Sequence, residues 1–184
     1  MKRIISVALL TAAFALPAVT FAMNEPMVGG RAMFPGKDIV DNAMNSADHT
    51  TLVAAVKAAG LVDTLKGPGP FTVFAPTNAA FAALPAGTVD TLLKPESKAA
   101  LDKMLTYHVV PGKLDAAALQ QAIEAGHGIA QLKTASGGIL WAMMNGDRNI
   151  VLKDEKGMVA SISTYDVYQS NGVIHVIDHV VLPN

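Results

Sequence analysis

The sequence predicts an α+β domain, and three observations carry that expectation. Helical periodicity dominates residues 37 to 125, short strand-like runs fill residues 129 to 182, and glycine-containing turns separate those runs. Helices that come first and strands that come later mark an α+β chain rather than alternating α/β units.

The chain begins with a short basic segment, Lys2-Arg3, and an apolar run from Ile4 to Ala15. Pro17 and then Thr20-Phe21-Ala22 follow, with small residues at the −3 and −1 positions of a cleavage site after Ala22. That is the pattern of a secretory signal peptide over residues 1–22. The apolar run is shorter than the roughly 20 residues a membrane-spanning helix needs, and no cysteine marks a lipid attachment point. Cleavage would leave 162 of the 184 residues, enough for one domain with its own core. The expected location is the periplasm or the extracellular space.

Composition excludes several functions. The chain has no cysteine, so disulfides, thiolate metal sites and a thiol nucleophile are absent. The net charge of −1 becomes about −3 without Lys2 and Arg3, which argues against nucleic acid and anionic membrane faces as partners. No phosphate loop, nucleophile elbow, His-Glu-x-x-His or calcium loop is present. No cofactor is expected.

Residues 23–36 show no period and read as a linker rich in Gly, Pro and Met. From Lys37, Ile39, Val40, Ala43 and Met44 share a helical face. A second helix spans about Thr50 to Ala59, started by Asp48 or Thr50 and stopped by Gly60. Leu61 to Leu65 make a further helical turn before the breaker Gly67-Pro68-Gly69-Pro70. Phe71 to Phe74 read as a buried strand ending at Pro76. Thr77 or Asn78 then caps a short helix with Phe81 inward. Thr88 to Leu93 form another turn, and Glu96 to Thr106 a helix with Leu101, Met104 and Leu105 inward. Tyr107 to Gly112 read as a strand ending in a turn, and Asp115 caps a helix reaching about Ala125. Five strands follow, at Ile129–Thr134, Ile139–Met143, Asn149–Lys153, Met158–Tyr165 and Val173–Leu182, spaced for antiparallel pairing.

Three ordered segments resemble the fasciclin-like domain family. The first runs from Phe71 through Phe74, Pro76, Thr77 and Asn78 to Phe81, a strand entering a capped helix. The second is Tyr107-His108-Val109-Val110-Pro111-Gly112. The third runs from Asn171 and Gly172 through His175 and Asp178 to Pro183. The resemblance covers residues 37–184. It implies a wedge of two packed β-sheets flanked by short helices, in exported proteins that act in adhesion rather than catalysis. It also implies adhesive contact at the Tyr-His segment, here Tyr107 and His108.

The individual residues have plainer readings as well. Neighbours on a strand point to opposite faces, so only one of Tyr107 and His108 could face a partner unless both line an edge. Otherwise they are packing and hydrogen-bonding groups. His175 and His179, four apart on a strand, would stand about 13 Å apart, too far to grip one metal ion. His175 and Asp178 are expected to be hydrogen-bonded within the fold. Met23, Met27, Met33, Met143 and Met144 have no regular spacing and no histidine among them, so they read as flexible filler rather than copper ligands. Asp154 and Glu155 read as a solvated turn.

The sequence therefore favours an exported, non-enzymatic binding module that contacts a cell-envelope or extracellular-matrix polysaccharide or a surface protein. Two alternatives stand beside it. Tyr107, His108 and a carboxylate could form a pocket for a small molecule or substrate, or the domain could form a homo-oligomer through exposed sheet edges.

Overall fold

The computed structural model describes residues 25–184. The leader assigned to residues 1–22 lies outside the described residues. Two short strands, β1 (Met27–Val28) and β2 (Arg31–Ala32), form a tight antiparallel ribbon. The stretch read as a linker is therefore partly structured, and Val28 and Met33 are buried in the core. Asn42 holds this ribbon in place, exchanging two hydrogen bonds with the backbone of Phe34 and donating to Gln169.

The helices are α1 (Ile39–Asn45), α2 (Thr50–Ala59), α3 (Val62–Leu65), α4 (Asn78–Ala82), α5 (Thr88–Leu92), α6 (Lys98–Tyr107) and α7 (Ala116–Ala125). Most ends follow local chemistry. Asp38, Thr77 and Asp115 cap α1, α4 and α7 through side-chain oxygens, and Gly60, with φ of 77°, ends α2. The α1 face differs from the expected one. Ile39, Val40 and Asn42 are buried, while Met44 points to solvent, because Asn42 is drawn inward to Phe34 and Gln169.

The remaining strands are β3 (Phe71–Pro76), β4 (Val109–Pro111), β5 (Ile129–Lys133), β6 (Ile139–Asn145), β7 (Asn149–Lys153), β8 (Val159–Gln169) and β9 (Gly172–Ile177). They hydrogen-bond in the order β4-β3-β9-β8-β7-β6-β5. All neighbours are antiparallel except β3 and β9, which pair in parallel from Phe71–Gly172 to Pro76–Ile177.

The two sheets of the wedge share one strand. The first residues of β8, Val159 to Ser161, pair with β7, and the rest, Ile162 to Gln169, pair with β9. Two irregularities bend β8 between these halves, after Ile162 and after Thr164, and Asp166 within the second takes a φ of 55°. The bend folds the sheet back until the Ala135 amide donates to the Val109 carbonyl at 2.7 Å, nearly closing a barrel.

Two apolar clusters fill the domain. One lies between α1, α2, α6 and the β3/β9 pair, with Val40, Val56, Phe81, Met104 and Ile174 among its members. The other fills the wedge beneath α7, with Phe74, Leu119, Ile123, Leu140, Leu152 and Ile177. The alternating burial of β5, with Ala130 and Leu132 inward and Ile129, Gln131 and Lys133 outward, shows which sheet face the wedge leaves uncovered.

Candidate functional site

Tyr107 and His108 are not where the strand reading put them. Helix α6 continues through Tyr107, His108 ends it, and β4 begins only at Val109. Both side chains are buried, so neither offers a surface to a partner. The Tyr107 hydroxyl donates to the Ile139 carbonyl at 2.7 Å and accepts the Glu155 N–H at 3.2 Å. Burial pushes this phenol up to about 12, helped by the nearby charges of Glu155 and Asp154. His108 donates from Nδ1 to the Met104 carbonyl at 2.8 Å and accepts the Val181 N–H at Nε2, 3.3 Å away. These partners fix the neutral Nδ1–H tautomer, and burial pulls its pKa down to about 4. The pair locks the end of α6 to β6, to the β7–β8 turn and to the C-terminal segment.

The turn read as solvated belongs to the same network. Asp154 is buried, accepting the Lys156 and Met158 amides at Oδ1 and the Leu182 amide at Oδ2. Glu155 accepts the Ile139 and Asn184 amides, which hold its carboxyl below the usual range. Sequence reasoning missed this because a carboxylate pair beside a glycine turn looks like a solvent loop until the C-terminal segment crosses it.

The remaining motif residues are structural. Phe74 is fully buried and stacks on His175, with ring centroids 5.7 Å apart. Nε2 of His175 donates to the Leu114 carbonyl at 2.8 Å, and burial lowers its pKa. His179 lies beyond β9, exposed and paired with Asp178, whose Oδ1 also accepts the Ser161 N–H. Thr77 caps α4, while Asn78 accepts the Thr51 amide at the start of α2, where neither Asp48 nor Thr50 supplies the expected side-chain cap. Asn171 accepts the Ile39 amide and donates to the Leu65 and Gly67 carbonyls, tying α1 and α3 to β9. Gly172 sits so close to β3 that a Cβ there would lie 2.0 Å from the Phe71 oxygen. Phe71 and Pro76 bound β3, and Phe81 turns inward from α4 into the core. Pro111 is exposed at the end of β4, and the Gly112 carbonyl receives the Thr72 hydroxyl at 2.7 Å.

The exposed chemistry lies elsewhere, on the outer face of β5 to β8. Register places Gln131, Trp141, Lys153 and Val159 in one row across four strands, with Ile129 and Met143 in the next. Ile129 and Val159 are 47% and 45% exposed, and Met158 beside them is 50% exposed. A groove of about 480 Å³ runs along this face, lined by Ile129, Trp141, Met143, Lys153 and Lys156 together with the Asp154–Glu155 turn. Trp141 is the chain's one tryptophan. A signal for this face was present in the sequence. In Ile139-Leu140-Trp141-Ala142-Met143, both alternating faces are apolar, although only one could be turned to the core.

The fold and the three motifs together define a fasciclin-type domain, and the family model described as "Fasciclin domain" matches residues 47–183. The chain belongs to that family. Among its relatives, Protein sll1483 of a Synechocystis strain is 46% identical, covering 98% of this chain and 96% of that protein. The Cell surface glycolipoprotein MPB83 of Mycobacterium bovis is 34% identical over 94% of this chain and 77% of its own length. The Immunogenic protein MPB70 of the same species is 31% identical, covering 94% and 93% respectively. A solved FAS1 domain pair from the insect cell adhesion molecule fasciclin I superposes with a TM-score of 0.57 at 22% identity. It covers 71% of this chain, and this chain spans 43% of that two-domain protein. Among the described residues no helix is long and apolar enough to cross a membrane.

Proposed function

We propose that the domain is an exported, non-enzymatic adhesion module, and that it holds a cell-envelope or matrix polysaccharide on the outer face of β5 to β8. One observation carries this reading. The chain's one tryptophan lies in an uncovered groove, in register with an amide on one side and a lysine on the other. An indole face stacks on the apolar face of a sugar ring, while neighbouring amide and ammonium groups take its hydroxyls and acidic substituents. Among the described residues Lys153 and Lys156 are in no ion pair. The two carboxylates beside them are engaged with backbone amides. The family's relatives at cell surfaces support the adhesive role, and the burial of Tyr107 and His108 favours a contact surface other than the Tyr-His segment.

Trp141 supplies its own probe. Titration with polygalacturonate oligosaccharides is expected to shift and strengthen its fluorescence, with a neutral dextran giving a weaker response. Trp141→Ala and Lys153→Ala/Lys156→Ala are each expected to abolish co-sedimentation with the insoluble polymer while the far-ultraviolet circular dichroism stays unchanged. Polymer binding that survives both changes would remove the face from the reading. Concentration-dependent dimerisation lost in Trp141→Ala would reassign it to self-association.

A further inference from the structure

A second site lies between the helices and the β3/β9 pair. A cavity of about 90 Å³ opens there, walled by Ile39 and Val40 of α1, Val53 and Val56 of α2, Leu65 of α3 and Ile174 of β9. His108 also touches it, but both ring nitrogens are already bonded, to Met104 and Val181, so the ring presents only carbon to the space. An enclosed polar ligand would lose its water hydrogen bonds and gain none. An apolar cavity left unfilled costs stability in proportion to its volume, so filling it with an apolar group is favourable. The lining is not sealed. It runs out to exposed Lys57 on α2 and Thr64 on α3.

Size and shape narrow the occupant. The volume is smaller than the cavity of about 150 Å³ known to take benzene, and far too small for a whole lipid. It suits a slender apolar group that enters through the rim while its polar end stays in water. We infer that this cavity receives the end of a single alkyl chain, with the head group held outside beside Lys57 and Thr64. Among the described residues Lys57 is in no ion pair, so it is available to an anionic head. This site shares no lining residue with the β5–β8 groove and rests on no part of the polysaccharide reading.

The test uses dodecanoate below its micelle concentration, titrated calorimetrically into the purified protein. Methyl NMR spectra would be recorded in parallel. Saturable binding is expected, with shifts concentrated on Ile39, Val40, Val56, Leu65 and Ile174. Two half-buried rim positions allow the cavity to be filled from different helices, by Ala43→Leu and by Val53→Phe. Each is expected to weaken dodecanoate at least tenfold without lowering the melting temperature. No saturable binding would overturn the inference, as would shifts confined to residues outside the cavity. Equal affinity in folded filled variants would do the same, since it would mean adsorption at the surface. Should both variants fail to fold, the wild-type shift map still decides.

Discussion

Acidification should loosen this domain well above the pH at which its carboxylates titrate, and His108 should account for most of the effect that one residue can have. In the folded protein its Nε2 accepts the Val181 N–H, so a proton there would face another N–H inside an apolar core. Burial holds the folded pKa at about 4, against 6.5 for the free side chain. Between those values the unfolded chain binds a proton that the folded one refuses, so stability falls as pH drops through this window. The loss is absent at pH 7.5 and reaches about 2 kcal/mol at pH 5, rising towards about 3 kcal/mol below pH 4. His49 and His175 are also buried with lowered pKa values and act in the same direction. The carboxylates whose pKa values are held down, Asp38, Asp178 and Glu155, contribute at lower pH, below their unfolded values near 4. Urea unfolding at pH 7.5 and at pH 5.0 separates the two groups. His108→Asn, less stable than wild type at both values, should show a pH-dependent loss smaller by about 2 kcal/mol. If the variant and the wild type lose the same free energy between the two pH values, the assignment of a buried neutral His108 is wrong.

Other substitutions test the hydrogen bonds that hold the motifs. Tyr107→Phe removes the hydroxyl between Ile139 and Glu155 and should cost about 1–3 kcal/mol by denaturant titration, with no loss of polymer binding. Asn171→Ala leaves the Ile39 amide and the Leu65 and Gly67 carbonyls without their partner, and should cost about 3 kcal/mol at roughly 1 per bond. Gly172→Ala should destabilise by more than about 4 kcal/mol, because its Cβ meets strand backbone that cannot yield; recovery of normal folded protein would contradict the close β3/β9 approach. Asn78→Ala should cost about 1 kcal/mol and appear as faster amide exchange at Thr51, the first turn of α2.

The α+β class and most elements were legible because they rest on local signals. Asp115 and Thr77 cap the helices they precede, Gly60 ends α2, and the strand from Asn149 to Lys153 has the expected bounds. The misreadings share one cause, a partner distant in sequence. Asn78 caps α2 from 27 residues away, and Asn42 turns inward because Gln169 waits 127 residues further on. Asp154 is buried because Leu182 crosses it. Tyr107 reads as strand from its neighbours Val109 and Val110, yet it completes α6, where its ring can reach Ile139. The exposed face was the least visible part. An apolar residue at an outward position has the same letter as one in the core, and only pairing with Gln131 and Lys153 shows that Trp141 faces solvent-side neighbours.

An adhesive contact joins two things, and one surface holds only one of them. The two proposed sites would place both contacts on this one domain. The cavity proposed for an alkyl chain is built by α1, α2, α3 and the β3/β9 pair, and the face proposed for a polysaccharide by β5 to β8, on the far side of the bend in β8. They share no lining residue, and between them lies the close-packed cluster that includes Phe74 and Leu152. Energetic coupling needs a bistable element or a shared contact, and with no lining residue in common the two ligands should bind independently. Saturating dodecanoate should leave the polysaccharide affinity, read from Trp141 fluorescence, within about twofold, the size of ordinary non-coupling between distant sites. A tenfold change would mean that the bend at Asp166 transmits strain between the halves. The domain would then be a switch, releasing one partner as it takes the other, rather than a bridge that holds both.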